Sequence, residues 1–351
     1  MKHDSRIDIA KGILITLVIV GHVTEYHLIQ RNLYTDKFLS GLPLPDLIWI
    51  ALRLFLDLVV PAFIFLSGYV LTLGYRAYDS FPVASFYKQR LKRLYIPYIV
   101  WFVIYTFING ESSVRNIAFS LLFFDGNFHF WFIWVLFISY ILFPFLLSAM
   151  KKYPVLLFAL ITISTLIAFS ILSIQITRSY TINYIIHKKL LILPLNIGYF
   201  SIGIATALYS SQNIFKLTKS RYLVLLLISG ISLGARFANF LNHNFILNRY
   251  LEMSVGILYI LSGTLMLLGF IPVLQKRFER VCAFFSQMGL SSYGIYLSHM
   301  AIIYALRAMF TKLIVKSSTP FAMITMTGCI IILYFIVRYF KYSKIRSAFG
   351  I

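Results

Sequence analysis

Acidic residues are scarce in this chain. Eleven Asp and Glu stand against 32 Lys and Arg in 351 residues, a formal charge of +21, and charged residues of both signs make up only 12%. Cysteine is rarer still: Cys282 and Cys329 are the only two, each in an apolar stretch and without CxxC spacing. Neither a disulfide framework nor a metal site is therefore expected, and both read as small core residues. The soluble-enzyme motifs are missing too, with no GxSxG elbow, no HExxH, no Walker sequence and no obvious carboxylate pair for glycosidase chemistry. Low-complexity segments, heptad arrays and inverted repeats are also absent.

What the chain has instead is apolar bulk. Sixty per cent of residues are apolar and 17% aromatic, with a mean hydropathy of +0.84. Such values lie outside the range of soluble domains and predict an integral membrane protein. Apolar runs centre on residues 9–29, 47–74, 95–109, 129–149, 154–173, 190–210, 222–241, 251–271, 287–307 and 319–339. Each is close to the roughly 20 residues that cross hydrocarbon as a helix. The predicted fold is all-α, a polytopic membrane protein of about ten transmembrane helices in a single domain over 1–351. The first run follows Lys2 and Arg6 without a small-residue cleavage pattern and reads as a retained helix.

The basic residues orient the spans. Twenty fall at the termini and in alternate loops, including Lys11, Arg76, Lys88, Arg90, Lys92, Arg93, Lys151, Lys152, Lys276, Arg277, Lys341, Lys344 and Arg346. Ten, among them Arg31, Lys37, Arg115, Arg178, Lys189 and Arg307, fall in the other set. The positive-inside rule then places both termini in the cytoplasm. It also accounts for the basic excess without a nucleic-acid partner; the lipid bilayer is the partner expected.

Ionisable residues inside spans are costly and point to function. In the first span Lys11 and His22 are eleven apart, within about 20° of one face and roughly 16 Å along a helix. That separation suits a lysine on a phosphate-bearing ligand at the cytoplasmic mouth and a histidine at the ligand's far end. A snorkelling lysine and a hydrogen-bonded core histidine are the alternative. Gly21, beside His22, allows close approach of another backbone or a substrate. The second span carries Arg53 and Asp57 at i,i+4, a pair able to neutralise itself, and Pro61, which should kink the helix. Arg90 and Arg93 sit in the densest cation cluster, suited to a phosphate or to anionic lipid. Toward the outer side lie Asp125, His129, Trp131 and Trp134, then Arg236, Asn239, Asn242 and His243. Aromatic and polar groups there suit a sugar or an ordinary aromatic belt. In the ninth span Ser292, Tyr296 and His299 share a face and need partners from other helices.

These segments, in order, resemble acyltransferase family 3, bacterial membrane proteins that O-acylate surface polysaccharides, peptidoglycan and glycolipids. Arg6 through Lys11-Gly12 to Gly21-His22 is similar to that family's first-helix motif, a basic residue, ten others and histidine. Pro61 to Ser67-Gly68-Tyr69 is similar to its Ser-Gly-aromatic segment, and Arg90-Leu91-Lys92-Arg93 followed by Pro97 to its RxxR motif. Trp131-Phe132-Ile133-Trp134 and Ser292 through His299 resemble its fourth-helix and ninth-helix patterns.

The resemblance implies acyl transfer, acetyl in the first place, from cytoplasmic acyl-CoA to a hydroxyl of a cell-envelope glycan or glycolipid. His22 would be the catalytic base, Lys11 its motif partner and a contact to CoA, and Arg90 and Arg93 the contacts to the CoA phosphates. Arg53, Asp57, Ser67, Trp131, Arg236, Tyr296 and His299 are candidates for the substrate side, with Arg53, Ser67 and Tyr296 also candidates to stabilise the oxyanion. No permanently bound cofactor is expected, acetyl-CoA being a donor substrate. The protein would sit in the bacterial cytoplasmic membrane, beside glycan synthesis or export machinery. Many members carry arginine where Lys11 stands, and some carry an appended soluble domain that is not expected here. The length is also similar to intercellular-adhesion polysaccharide proteins read as exporters or O-succinyltransferases. A polysaccharide or lipid-linked sugar exporter is therefore the rival reading.

Overall fold

A computed structural model describes residues 4–33, 42–78, 81–171, 185–210, 214–241, 249–340 and 349–350. Lys2, Lys37, Arg178, Asn242, His243, Lys341, Lys344 and Arg346 lie outside them. The described residues are helical, with no strand among them. Among the described residues nine helices or runs of consecutive helices are long and apolar enough to cross a membrane. The ninth predicted span, 287–307, falls across two helices, Glu279–Leu290 and Ser292–Phe310, that meet at Ser291. The all-α polytopic membrane architecture read from the sequence is the architecture found.

Contacts divide the chain into two compact units, residues 63–211 with 347–350, and residues 2–62 with 212–346. The second unit is built around α1, Ser5–Gln30. Asp4 caps it, accepting from the Arg6 backbone N–H at 3.0 Å and pairing with the Arg6 guanidinium at 2.7 Å. Its 26 residues then run without a break for about 39 Å, enough to span. Ala10, Leu14, Ile19 and Val23 are fully buried. Around α1 pack α2 (Leu44–Phe55), α11 (Arg249–Arg277), α12 (Glu279–Leu290), α13 (Ser292–Phe310) and α14 (Thr319–Phe340). Cys282 and Cys329 are buried free thiols on α12 and α14, as their apolar settings predict.

The closest approach in this unit is between backbones. A Cβ added at Gly12 would overlap the Phe285 carbonyl, and one added at Gly289 would overlap the Asp8 carbonyl. Each helix thus presents a glycine to the main chain of the other, the arrangement that supplies packing in a membrane, where no hydrophobic driving force separates helix from lipid. Gly21, by contrast, meets only the Leu56 side chain, its added Cβ 3.9 Å away. The close backbone approach on α1 is therefore at Gly12 rather than beside His22.

Helix α10 (Lys219–Leu241) shows the same economy differently. Ser229 and Ser232 are its buried residues, while Leu226, Leu227 and Ile231 are exposed. Small side chains let α10 approach α11, and the bulky ones are left for lipid.

The other unit contains the later part of α3 (Val59–Tyr75), then α4 (Val83–Arg90), α5 (Ile96–Asn109), α6 (Val114–Leu122), α7 (Trp131–Lys152), α8 (Pro154–Ile171) and α9 (Leu193–Tyr209). Its core is aromatic. Tyr98 and Phe124 rings lie 4.3 Å apart with buried Phe130 against Tyr98, and Phe86, Phe143 and Phe200 form a second buried cluster. It repeats the glycine crossing: Gly68 faces the Phe200 carbonyl, and Gly203 faces the Phe65 carbonyl. The glycine of the Ser-Gly-aromatic segment thus has a packing role.

Substitution tests these crossings. Gly12→Val is expected to destabilise the protein by at least about 3 kcal/mol, because no rotamer relieves overlap with a backbone carbonyl. Gly234→Ala, on α10 with nothing within 4 Å of an added Cβ, should be neutral or gain up to about 1 kcal/mol of helix propensity. Thermal unfolding in detergent reads both.

Candidate active site

The Lys11–His22 face of α1 survives intact because α1 is uninterrupted. Both side chains are half-buried, three turns apart. His22 meets α13, where its ring lies 5.1 Å from the His299 ring at a 32° tilt. The polar stripe predicted on that helix has therefore found its partner. His299 is fully buried, and its Nδ1–H donates to the Tyr296 carbonyl at 2.7 Å and more weakly to Ile295 at 3.2 Å. A carbonyl only accepts, so the proton sits on Nδ1 and neutral His299 keeps its lone pair on Nε2. The Tyr296 ring lies 5.6 Å from that of His299, closing one side of the pair. Ser292, the first residue of the stripe, is half-buried.

A second cluster begins one turn further along α1. Glu25 follows His22 by three residues, on the same stripe, and accepts from Arg53 Nε at 2.5 Å. Arg53 also pairs with Asp57 through Nη1, and Asp57 accepts from Arg236 Nη2 at 2.5 Å. The i,i+4 pair legible in the sequence is thus the middle of a four-membered chain, Glu25–Arg53–Asp57–Arg236. The Arg53 charge also reaches His22 electrostatically.

The second span is irregular at this point. Pro61 has no N–H for the Asp57 carbonyl, and the chain before it tightens into a 3-10 turn at Leu56–Leu58. The two carbonyls just ahead of that turn are taken up by other helices. Tyr259 on α11 donates its hydroxyl to the Phe55 carbonyl at 2.6 Å, and Arg236 Nη1 donates to Leu54 at 3.5 Å. The Arg236 guanidinium lies 5.7 Å over the Tyr259 ring. Beside this chain is a cavity of about 110 Å³ lined by Leu28, Ile50, Arg53, Leu54, Asp57 and Phe240.

The remaining candidates belong to the other unit. Arg90 is half-buried, its guanidinium 5.5 Å from the Phe86 ring and 5.8 Å from the Tyr140 ring, whereas Arg93 is exposed. Between and beyond them the chain widens into a π-helical turn, Leu91–Tyr95, so their surroundings differ although they are three residues apart. Tyr140 also stands beside Ser67, so one tyrosine borders both the Ser-Gly-aromatic segment and the RxxR segment. Trp131 is half-buried at the start of α7, edge-on to Phe132 at 6.5 Å. Trp134 donates to the Lys189 carbonyl at 2.8 Å.

Several residues escaped the sequence reading. Lys189, counted there among loop cations, is 1% exposed and pairs with Asp125 at 3.1 Å. Arg307, also counted there, lies 4.5 Å over the Tyr26 ring. His27 is buried, its ring 4.6 Å from Trp49. Glu25 carried a usable signal, an acidic residue inside a span at i+3 from His22. Tyr259 and Tyr140 carried none. Among the described residues no group of His, Cys, Asp and Glu is placed to hold a metal ion.

The ion-pair chain makes a measurable claim. Asp57→Asn removes the partner shared by two guanidiniums and should lower stability by about 1–3 kcal/mol, between the ranges of exposed and buried pairs. Combined with Arg236→Gln in a double-mutant cycle, it should show a coupling of about 1 kcal/mol. Additive single-mutant losses would mean that the Asp57–Arg236 pair contributes nothing.

The acyltransferase domain family matches residues 4–338, nearly the whole chain. No curated protein and no solved structure matches. The matched range contains the Lys11–His22 helix, the Ser67-Gly68 segment, Arg90 and Arg93, and the His299 helix. With that match over nearly the whole chain and its long apolar helices, the chain belongs to acyltransferase family 3 and is a membrane acyltransferase.

Proposed function

We propose that the protein is an O-acyltransferase of a bacterial cytoplasmic membrane. It takes an acyl group, acetyl or succinyl, from acyl-CoA on the cytoplasmic side and delivers it to a hydroxyl of a cell-envelope or extracellular glycan. The observation that carries this reading is the His22–His299 pair, a partly buried histidine held against a fully buried one whose Nδ1–H is tied to a backbone carbonyl.

His22 is the base. It takes the proton of the acceptor hydroxyl as the oxygen attacks the thioester carbonyl, forming the new C–O bond. The tetrahedral intermediate collapses with cleavage of the C–S bond, and the CoA thiolate leaves, receiving the proton from His22. A positioned base of this kind contributes on the order of 10²–10⁴ in rate. His299 is a positioning residue: its Nδ1–H is tied to the Tyr296 carbonyl, so its ring is a fixed surface for His22. Lys11, three turns toward the end of α1 that carries Asp4, is assigned to the CoA phosphate side. The roughly 16 Å to His22 is about the reach of a pantetheine arm. Arg90 and Arg93 are assigned to the CoA phosphates on their charge and their place in the RxxR segment.

Purified protein in nanodiscs, given radiolabelled acetyl-CoA or succinyl-CoA with mixed envelope glycans, tests the assignment. Label should reach glycan with the wild type and fall to background with His22→Ala, while CoA binding is retained. His299→Gln should lower kcat by about tenfold with little change in the donor KM, and Arg93→Ala should weaken CoA binding. Full turnover by His22→Ala would remove the histidine from the chemistry.

A further inference from the structure

Charges at membrane depth persist where they are paired or face water. The Glu25–Arg53–Asp57–Arg236 chain meets both conditions: every member is paired, yet the side chains stay 35, 35, 25 and 15% exposed. The cavity beside Arg53 and Asp57 accounts for part of that exposure.

The charges of this ion-pair chain sum to zero, with two carboxylates alternating with two guanidiniums. An anion arriving at Arg53 meets the negative charges of Glu25 and Asp57 beside it, and a cation arriving at Asp57 meets the positive charges of Arg53 and Arg236. A ligand bearing several hydroxyls has no such conflict. Each hydroxyl both donates and accepts, so it can donate to a spare carboxylate lone pair and accept from a spare guanidinium N–H while every ion pair stays closed. Besides Arg53 and Asp57 the cavity is lined by Leu28, Ile50, Leu54 and the Phe240 ring, an apolar surface of the kind that packs on the C–H face of a sugar. Pro61, the 3-10 turn and the Tyr259 hydrogen bond hold the chain in place before any ligand arrives. Glu25 continues the stripe of His22, so hydroxyls engaged at the Glu25–Arg53 end lie toward the base.

We infer that this ion-pair chain and its cavity form the acceptor subsite, and that it selects an uncharged, polyhydroxylated sugar unit over an acidic one. The inference rests on the acyl-transfer reading and adds the class of acceptor to it.

The test divides envelope glycans into neutral and acidic pools by anion exchange and offers each, with radiolabelled acetyl-CoA or succinyl-CoA, to protein in nanodiscs. Label should enter the neutral pool at least tenfold faster. Leu54→Phe narrows the cavity without touching an ion pair, and it should raise the acceptor KM at least tenfold with the CoA affinity unchanged. Glu25→Gln leaves the ion-pair chain with a net positive charge and should shift the neutral-to-acidic ratio several-fold toward the acidic pool. Preferential labelling of the acidic pool, or an unchanged acceptor KM in Leu54→Phe, overturns the subsite while leaving acyl transfer in place. Absence of label from both pools, with folded wild type and bound CoA, overturns the acyl-transfer reading and this inference with it.

Discussion

Backbone-to-backbone contact between α1 and α12 sets the terms for everything else in its unit. With Gly12 against the Phe285 carbonyl and Gly289 against the Asp8 carbonyl, α1 has no freedom to slide or rotate past its neighbour. A shift of one residue would turn it by 100° and bring a side chain onto a carbonyl. Because α1 is one unbroken helix, a contact near its first turns fixes the direction of His22 three turns away. The rotation that seats Gly12 is the one that leaves Lys11, His22 and Glu25 along a half-accessible stripe.

The second determinant is a defect. Ahead of Pro61 the second span tightens into the 3-10 turn Leu56–Leu58, and a backbone group left unsatisfied in lipid costs several kcal/mol. The Phe55 and Leu54 carbonyls just before that turn are met by Tyr259 and Arg236. Arg236 also brings a positive charge that Asp57 answers, Asp57 holds Arg53, and Arg53 holds Glu25. The polar chain beside His22 is thus tied to an irregular turn of the second span, each charge answered by the next.

This explains what could be read from the chain alone. Spacing along one helix was legible: the Lys11–His22 face, the Arg53–Asp57 pair, the Ser292–Tyr296–His299 stripe and the disturbance at Pro61 all depend on 3.6-residue geometry. Pairings across helices were not. Nothing in the residues near Asp57 announces Arg236, 179 positions later, and nothing near Ser67 announces Tyr140. Lys189 has a loop lysine's sequence context, and only the fold buries it against Asp125. Which glycine meets another backbone was not legible either, since Gly21 and Gly12 look alike in sequence and only the partner helix distinguishes them.

The alternation of sign along Glu25, Arg53, Asp57 and Arg236 has an electrical consequence. Moving one elementary charge across a membrane held at 100 mV changes its energy by about 2.3 kcal/mol. A cluster of zero net charge feels no net force of that kind, so polarisation of a membrane neither pulls this chain inward nor pushes it outward as a unit. What the field still acts on is the dipole set by the separate depths of the four groups, a far smaller coupling than that of one unpaired charge carried across the whole bilayer.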